Sequence, residues 1–205
     1  PFIPFVQYAH GAFQPIFYLR NHGVEILEVG TVLGLFTAVG GLLGIVTGGL
    51  LGDKLREKYP NGRLYLIICI TIMIAPSSLL YLYVESLYFS YFWNFAFSFI
   101  APMWLGLGVS TIADLVLPRM RAVAGAFFIL MLSMLGMALG PYLTGKVSDV
   151  LIAQGVDDGE SIRTALALCT CVLVITIGFL LTACRYLPEE EKNKVEIARS
   201  HGESI

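Results

Sequence analysis

The chain has 205 residues, of which 57% are hydrophobic and only 14% are charged, and its net charge at pH 7 is −2. Soluble domains are nearer a quarter charged, so this composition excludes an ordinary soluble domain or enzyme, a disordered chain and a nucleic-acid-binding protein as leading interpretations. The charged residues are clustered, which leaves long apolar stretches between them. Because the first residue is Pro1 and no basic leader precedes a cleavable apolar core, we expect the sequence to start within a longer protein.

Six segments are long and apolar enough to cross a bilayer, which needs about 20 mostly apolar residues. Each must be a helix, because an isolated strand cannot satisfy its backbone in lipid and the sequence lacks the alternating strands of a membrane barrel. We therefore predict an all-α membrane protein with one bundle at 1–187 and a charged cytoplasmic tail at 188–205. The predicted spans are residues 2–19, 28–52, 64–83, 88–116, 123–145 and 164–185.

Basic residues lie mostly on one side of the predicted membrane. Only Arg20, Lys146 and Arg163 fall on the other side. Since positively charged loops stay in the cytoplasm, we predict an inner or plasma membrane protein with both termini inside. The ten cytoplasmic bases are Lys54, Arg56, Lys58, Arg63, Arg119, Arg121, Arg185, Lys192, Lys194 and Arg199.

Glycines at a spacing of four mark one face of the second predicted span and recur in the fifth. Residues at i and i+4 share a helix face, and small residues there let two membrane helices approach closely. The pattern predicts tight helix packing, and it is also compatible with a helix pair that slides. The predicted packing residues are Gly40, Gly44, Gly48, Gly52, Gly136 and Gly140.

Polar side chains inside the first and fourth spans are the candidate substrate path. Gln7, His10 and Gln14 share one face of the first span, and Asn94 and Ser98 are one turn apart in the fourth, among aromatic residues. Polar groups are costly against lipid, so these should face a cavity, where they would suit an amphiphilic ligand, or pair with neighbouring helices. The surrounding aromatic residues could equally face lipid.

Charged residues at the cytoplasmic ends of the spans are the candidate gate. An acid followed directly by bases could interact with the end of a neighbouring helix and latch one conformation, or could be a solvated stop-transfer cluster. A second acid, Asp114, should find a basic partner in Arg119 or Arg121, or else reach the headgroup region. The predicted latch residues are Asp53, Lys54, Arg56, Lys58, Asp114, Arg119 and Arg121.

The pattern that begins at Gly49 and Asp53 and continues with alternating bases resembles the signature loop of the major facilitator superfamily, where it follows the second helix of each six-helix half. Segments 17–23, 29–34, 40–44, 117–122 and 140–149 are similar to the C-terminal half of the Spinster-like group, and the resemblance covers about residues 12–187. It implies helices seven to twelve of a twelve-helix fold whose N-terminal half is missing. It also implies alternating access, a small organic or amphiphilic substrate, and coupling to a proton or another ion.

Signatures of catalysis are missing from the sequence. It has no Gly-x-Ser-x-Gly elbow, no paired-histidine metal helix and no Walker loop, and its four cysteines show no metal-ligand spacing. We predict a carrier that is not an enzyme, with no cofactor or metal, whose partners are the bilayer, the missing half and the substrate. Two alternatives stay open: a six-span channel or half-transporter that dimerises through the glycine face, and a polytopic membrane enzyme.

Overall fold

The structure is a computed structural model that describes the backbone of residues 2–59 and 61–200 and, within these, the side chains up to residue 186. All regular structure in these residues is helical, which confirms the predicted all-α class. The helices are α1 (Phe2–Asn21), α2 (Ile26–Lys58), α3 (Gly62–Tyr83), α4 (Leu87–Ile100), α5 (Trp104–Leu115), α6 (Arg121–Met131), α7 (Leu139–Ala153) and α8 (Asp158–Ser200).

Short irregular turns of helix join these elements into six helical rods, which correspond to the six predicted spans. A 3-10 turn (Ala101–Met103) joins α4 to α5, and Pro102 within it lacks the N–H that would continue the α-helix. A π-helical segment (Leu132–Ala138) joins α6 to α7. The fourth and fifth rods are therefore composite, and each has a change of helical pitch near its middle.

Five of the six rods are long and apolar enough to cross a membrane by length and composition. The exception is α1, which carries the polar residues of the first predicted span. This helix contacts α2, α7, α8 and the π-helical segment, so protein surrounds much of its surface. A helix enclosed by other helices can carry polar groups that a lipid-facing helix cannot. The five apolar rods cover Ile26–Lys58, Gly62–Tyr83, Leu87–Leu115, Pro118–Ala153 and Asp158–Tyr186.

The four predicted packing glycines of α2 face the interior of the bundle. A Cβ atom at Gly44 would collide with the backbone of Phe99, and one at Gly48 with the backbone of Met103. Gly40 and Gly52 lie on the same face, against Ser98 and Phe99 and against Leu107 respectively. This face is already covered by α4 and α5, so it cannot be the interface of a dimer, and that part of the channel alternative is wrong.

The two predicted packing glycines of the fifth rod, Gly136 and Gly140, pack in a similar way against α1. A Cβ atom at Gly136 would meet Pro4, and one at Gly140 would collide with the carbonyl of Phe5. Close approach here brings the π-helical segment and α7 against the first half of α1. Gly136 and Gly140 therefore determine how near the fifth rod lies to α1, as the glycines of α2 do for α4 and α5.

The predicted boundary at residue 187 falls inside α8, whose backbone continues as a helix to Ser200. The tail predicted at 188–205 includes Lys192, Lys194 and Arg199. Its side chains and residues 201–205 lie outside the part of the chain that the structure describes.

Candidate functional site

An open cavity of about 460 Å³ lies between α1, α2 and α4, and we call it the polar cavity. Its wall is mostly apolar, and hydrogen-bonding side chains enter it from all three helices. Ligand sites in proteins combine these two features at this size, because apolar surface binds the ligand and a few polar groups orient it. The polar side chains of the wall are Gln7, Gln14, Thr37 and Ser98.

Three of the five predicted substrate-path residues lie in the wall of the polar cavity. Gln7 and Gln14 enter it from α1 and Ser98 enters it from α4. The Gln14 side-chain nitrogen, Nε2, is buried and has no hydrogen-bond partner among the described residues. An unpaired buried amide costs about 1–3 kcal/mol, so a ligand acceptor at this position would be favoured.

His10 lies behind the wall of the polar cavity and not in it, which corrects the substrate-path prediction for this residue. The ring is fully buried. Its Nδ1 is bonded to the hydroxyl of Tyr81 in α3, and its Nε2 lies 3.1 Å from Oγ1 of Thr170 in α8. The Thr170 hydroxyl itself donates to the carbonyl of Leu166, so Nε2–H is the donor to Thr170 and a neutral imidazole is satisfied at both nitrogens.

Asn94 is also fully buried in the core, which corrects the prediction that it shares a cavity wall with Ser98. The spacing of four residues predicts a common helix face, but it does not predict how deep each residue lies along that face. Neither atom of the Asn94 amide has a hydrogen-bond partner among the described residues. One turn earlier, Ser90 donates to the carbonyl of Tyr81 at 2.7 Å and lies 2.9 Å from the Tyr18 hydroxyl, so polar pairs continue along this helix.

A cluster of three charges, which we call the Arg63 triad, joins the ends of α2, α3 and α5. Arg63 Nη1 lies 2.5 Å from Asp114 Oδ2, and Arg63 Nη2 lies 3.0 Å from Asp53 Oδ1. The planar guanidinium has separate N–H groups for the two carboxylates, which a lysine could not offer in this geometry. The Arg63 side chain is only 17% exposed, whereas that of Asp53 is 69% exposed.

Backbone packing at Gly62 places Arg63 where it can bridge the two acids. A Cβ atom at Gly62 would collide with the carbonyl of Leu55, so the start of α3 packs directly against the last turns of α2. Asp114 lies near the end of α5, and its pairing with Arg63 brings the α2–α3 and α5–α6 turns to one end of the bundle. We call this the basic end.

Arg63 is one of the ten predicted cytoplasmic bases, but its pairing with Asp53 and Asp114 was not predicted from the sequence. A signal was present, because Arg63 opens a helix, where the macrodipole disfavours a positive charge unless carboxylates compensate for it. The other predicted latch residues lie at the same end. Arg121 donates from Nε to the carbonyl of Ala113 at 3.2 Å, and Lys58 lies over the ring of Tyr59, 5.5 Å from its centre.

Ion pairs also join helices at the end opposite the basic end. Arg20, in the last turn of α1, lies 3.7 Å from Asp158 at the start of α8. Partial burial, and then the charge of Arg163, hold the pKa of His22 below its ordinary value of 6.5. The Arg20–Asp158 pair links α1 and α8 at this end. The described wall of the polar cavity contains no charged side chain.

Apolar rods of membrane length, a cavity between helices and a charge cluster at one end are the features of a polytopic helical membrane protein. The sequence profile of the Major Facilitator Superfamily matches residues 2–203, and the chain belongs to that family. This confirms the resemblance stated from the sequence.

Two relatives show where in the family the chain lies. It is 32% identical over 194 residues to an MFS-type efflux pump of Mycolicibacterium smegmatis, an alignment that covers 90% of this chain and 43% of the relative. It is 32% identical over 170 residues to Protein spinster homolog 1 of Xenopus tropicalis, which covers 78% of this chain and 32% of the relative. The chain is thus Spinster-like and spans less than half the length of these relatives, which are transporters and not enzymes.

The fold matches that of a solved relative. A bacterial homolog to the human lysosomal transporter Spinster, in an inward-facing and occupied conformation, superposes with a TM-score of 0.78 at 22% identity. The match covers 92% of this chain and 48% of that one. The same homolog in an inward-facing and unoccupied conformation gives a TM-score of 0.63. The predicted transporter fold is confirmed by these matches.

Proposed function

We propose that this chain is the C-terminal six-helix half of a secondary carrier that moves a small organic or amphiphilic solute across the cell membrane by alternating access. The polar cavity is the observation that carries the proposal. It opens at the side of the bundle, between helices of this half, and not along a closed central pore. A site of this kind is completed when a second bundle covers it, and rocking of the two bundles then exposes it to each side in turn.

The exposure of two helices supports a second bundle. We compare the most apolar 18-residue stretch of each rod. Only 22% of that stretch is buried in α2 and only 6% in the α6–α7 rod, whereas 44% of it is buried in α3. The α2 helix also supplies one wall of the polar cavity. Helices this exposed on either side of α1 provide a surface for the other half, and relatives more than twice as long as this chain support a half in the same polypeptide.

The charge pattern supports an orientation for the carrier. The two basic loops predicted to be cytoplasmic meet at the basic end of the bundle through the Arg63 triad. We therefore propose that this end faces the cytoplasm, with both termini of the chain on that side. Asp53, exposed within this half, would be available to a helix of the other half, where it would act as part of a latch that closes the cytoplasmic side.

The proposed mechanism includes coupling to an ion. We propose that the residue that binds this ion lies in the other half of the carrier. The polar cavity has no ionisable side chain in its described wall, and the imidazole of His10 is already paired at both nitrogens. A proton or other ion would therefore bind to the other half, on the opposite side of the polar cavity. There it would change the charge of the site that the two halves form together.

Replacing Gln14 by alanine tests the proposed site. We expect transport by the intact carrier in proteoliposomes to fall about fivefold, because a neutral hydrogen bond to the solute is worth about 1 kcal/mol and uncharged amides are the main polar groups of this wall. Membrane abundance should stay unchanged. The matched control is Gln154→Ala, an exposed glutamine just after α7, which should transport like the wild type. Unchanged transport in Gln14→Ala would contradict the assignment of the polar cavity.

A further inference from the structure

Two side-chain contacts fix the register between α1 and α4. The Tyr18 hydroxyl lies 2.9 Å from Ser90 Oγ. Two turns away along α1, the ring of His10 packs on that of Phe97, with ring centres 5.0 Å apart. The residue number falls along α1 while it rises along α4, so the two helices are antiparallel. Gln14 is one turn from both Tyr18 and His10, and it therefore lies between the two contacts on the same side of α1.

The residue of α4 at the level of Gln14 is Asn94. It comes one turn after Ser90 and just before Phe97, so it also lies between the two contacts. Both side chains are buried, with 5% of Gln14 and none of Asn94 exposed. Gln14 Nε2 and both polar atoms of the Asn94 amide have no hydrogen-bond partner among the described residues. We call these two side chains the amide pair.

The unpaired atoms of the amide pair require a ligand that both donates and accepts hydrogen bonds. Gln14 Nε2 and Asn94 Nδ2 are donors, whereas Asn94 Oδ1 is an acceptor. A cation would satisfy only the oxygen, and an anion would satisfy only the two nitrogens. A water molecule has two lone pairs and two hydrogens, so it can bond to all three atoms. Buried waters in proteins typically make about three such hydrogen bonds.

We propose that a buried water molecule bridges Gln14 and Asn94 and thereby links α1 to α4. It enters through the polar cavity, because Gln14 and Phe97, on either side of the site, both lie in the wall of that cavity. The volume of the cavity, about 460 Å³, is far above the roughly 30 Å³ that one water occupies. A solute acceptor at Gln14 Nε2 would replace this water. The bridge is a property of this bundle and does not depend on the proposed function.

Leucine substitutions test whether the two amides are coupled through the water. Leucine fills the site with hydrocarbon, whereas alanine would leave room for another water. Asn94→Leu leaves Gln14 Nε2 without a partner, so it should lower the Tm of the intact carrier in detergent by about 2 °C. Gln14→Leu should have a similar effect through the Asn94 amide. The double variant contains no unpaired amide, so its Tm should be at or above that of the wild type.

Thr71→Val is the matched control, because it also removes a buried hydrogen-bonding group from the bundle. The Thr71 hydroxyl donates to the carbonyl of Ile67 in its own helix, so it has no part in the bridge. The Tm change of Thr71→Val should therefore add to that of Gln14→Leu. The changes of Asn94→Leu and Gln14→Leu should not add, because the two residues share one water.

A high-resolution map of the intact carrier without solute is the second measurement, and it decides the question if Asn94→Leu does not fold. The expected result is water density within hydrogen-bonding distance of both Gln14 and Asn94. A map with no density there, or with the two amides bonded directly to each other, overturns the proposal. So does a higher Tm in Asn94→Leu, which would mean that the amide is buried dry, and so do leucine effects that simply add.

Discussion

His10→Ala is expected to lower the free energy of unfolding of the carrier by about 2–4 kcal/mol. The change leaves a cavity at a fully buried site and removes the ring that pairs with Tyr81 and Thr170. Most of the loss comes from the cavity, because a hydrogen bond between membrane helices contributes only about 0.6 kcal/mol on average. Thermal unfolding of the purified carrier in detergent, followed by tryptophan fluorescence, measures the effect as a lower Tm.

Gln14→Ala is the control for His10→Ala, because it is on the same helix but in the cavity wall. It should keep the wild-type Tm and transport several-fold more slowly, whereas the first effect of His10→Ala should be a lower Tm. If His10→Ala kept the wild-type Tm and abolished transport, the ring would act on the solute or the coupling ion, and its placement in the core would be contradicted.

Arg63→Gln is expected to lower transport by the intact carrier about tenfold. The charged hydrogen bonds of Arg63 to Asp114 and Asp53 are each worth about 1.5–3 kcal/mol where water is excluded, and solvent screening leaves the exposed Asp53 the smaller share. A shift of about 1.4 kcal/mol in a conformational equilibrium already changes it tenfold. Uptake of the solute into proteoliposomes, normalised to the amount of carrier inserted, checks the prediction.

The control for Arg63→Gln is Glu160→Gln at the opposite end. Glu160 pairs with Arg163 at 2.7 Å within one turn of α8, so this ion pair joins no two helices. Such surface pairs contribute a few tenths of a kcal/mol, so transport should stay close to that of the wild type. Arg63→Lys should recover only part of the loss, since its ammonium cannot present the guanidinium fork to two carboxylates. Wild-type transport in Arg63→Gln would contradict a gating role for the Arg63 triad.

The six helical rods could be predicted from the sequence, because the length and apolar composition of a segment indicate a membrane span without any knowledge of the neighbouring helices. The second span, predicted at 28–52, in fact runs through Ile26–Lys58. The apolar signal stops at Asp53, but the helix continues through Arg56 and Lys58, whose charges are favoured at a helix C-terminus. Hydropathy therefore locates the membrane-spanning part of a helix and underestimates its length.

The depth of polar residues could not be predicted in the same way. Gln7, His10 and Gln14 share a helix face in the sequence pattern, yet the two glutamines reach the polar cavity and the ring of His10 turns toward α3 and α8. The pattern gives the direction of a side chain from its own helix axis. It does not contain the position of the neighbouring helices, which decides whether that direction leads to a cavity or to another side chain.

The π-helical segment Leu132–Ala138 also has no signal in the sequence analysis. Its residues are ordinary helix formers with one glycine, and the segment packs against α1, where a Cβ atom at Gly136 would meet Pro4. The glycine spacing predicted a close helix contact at this point. The partner helix and the change of pitch follow from tertiary structure.

Access to the polar cavity from the two sides of the membrane tests the central claim most directly. Gly11 and Thr37 lie in its wall on α1 and α2, and each is replaced by cysteine in the intact carrier after its native cysteines, including the exposed Cys69 and Cys171, are changed to alanine. A membrane-impermeant thiol reagent is then added to either side of sealed vesicles. Alternating access predicts that both positions react from each side, and that bound solute protects them. Labelling from neither side would contradict the account, because the cavity would then face lipid and not a translocation path.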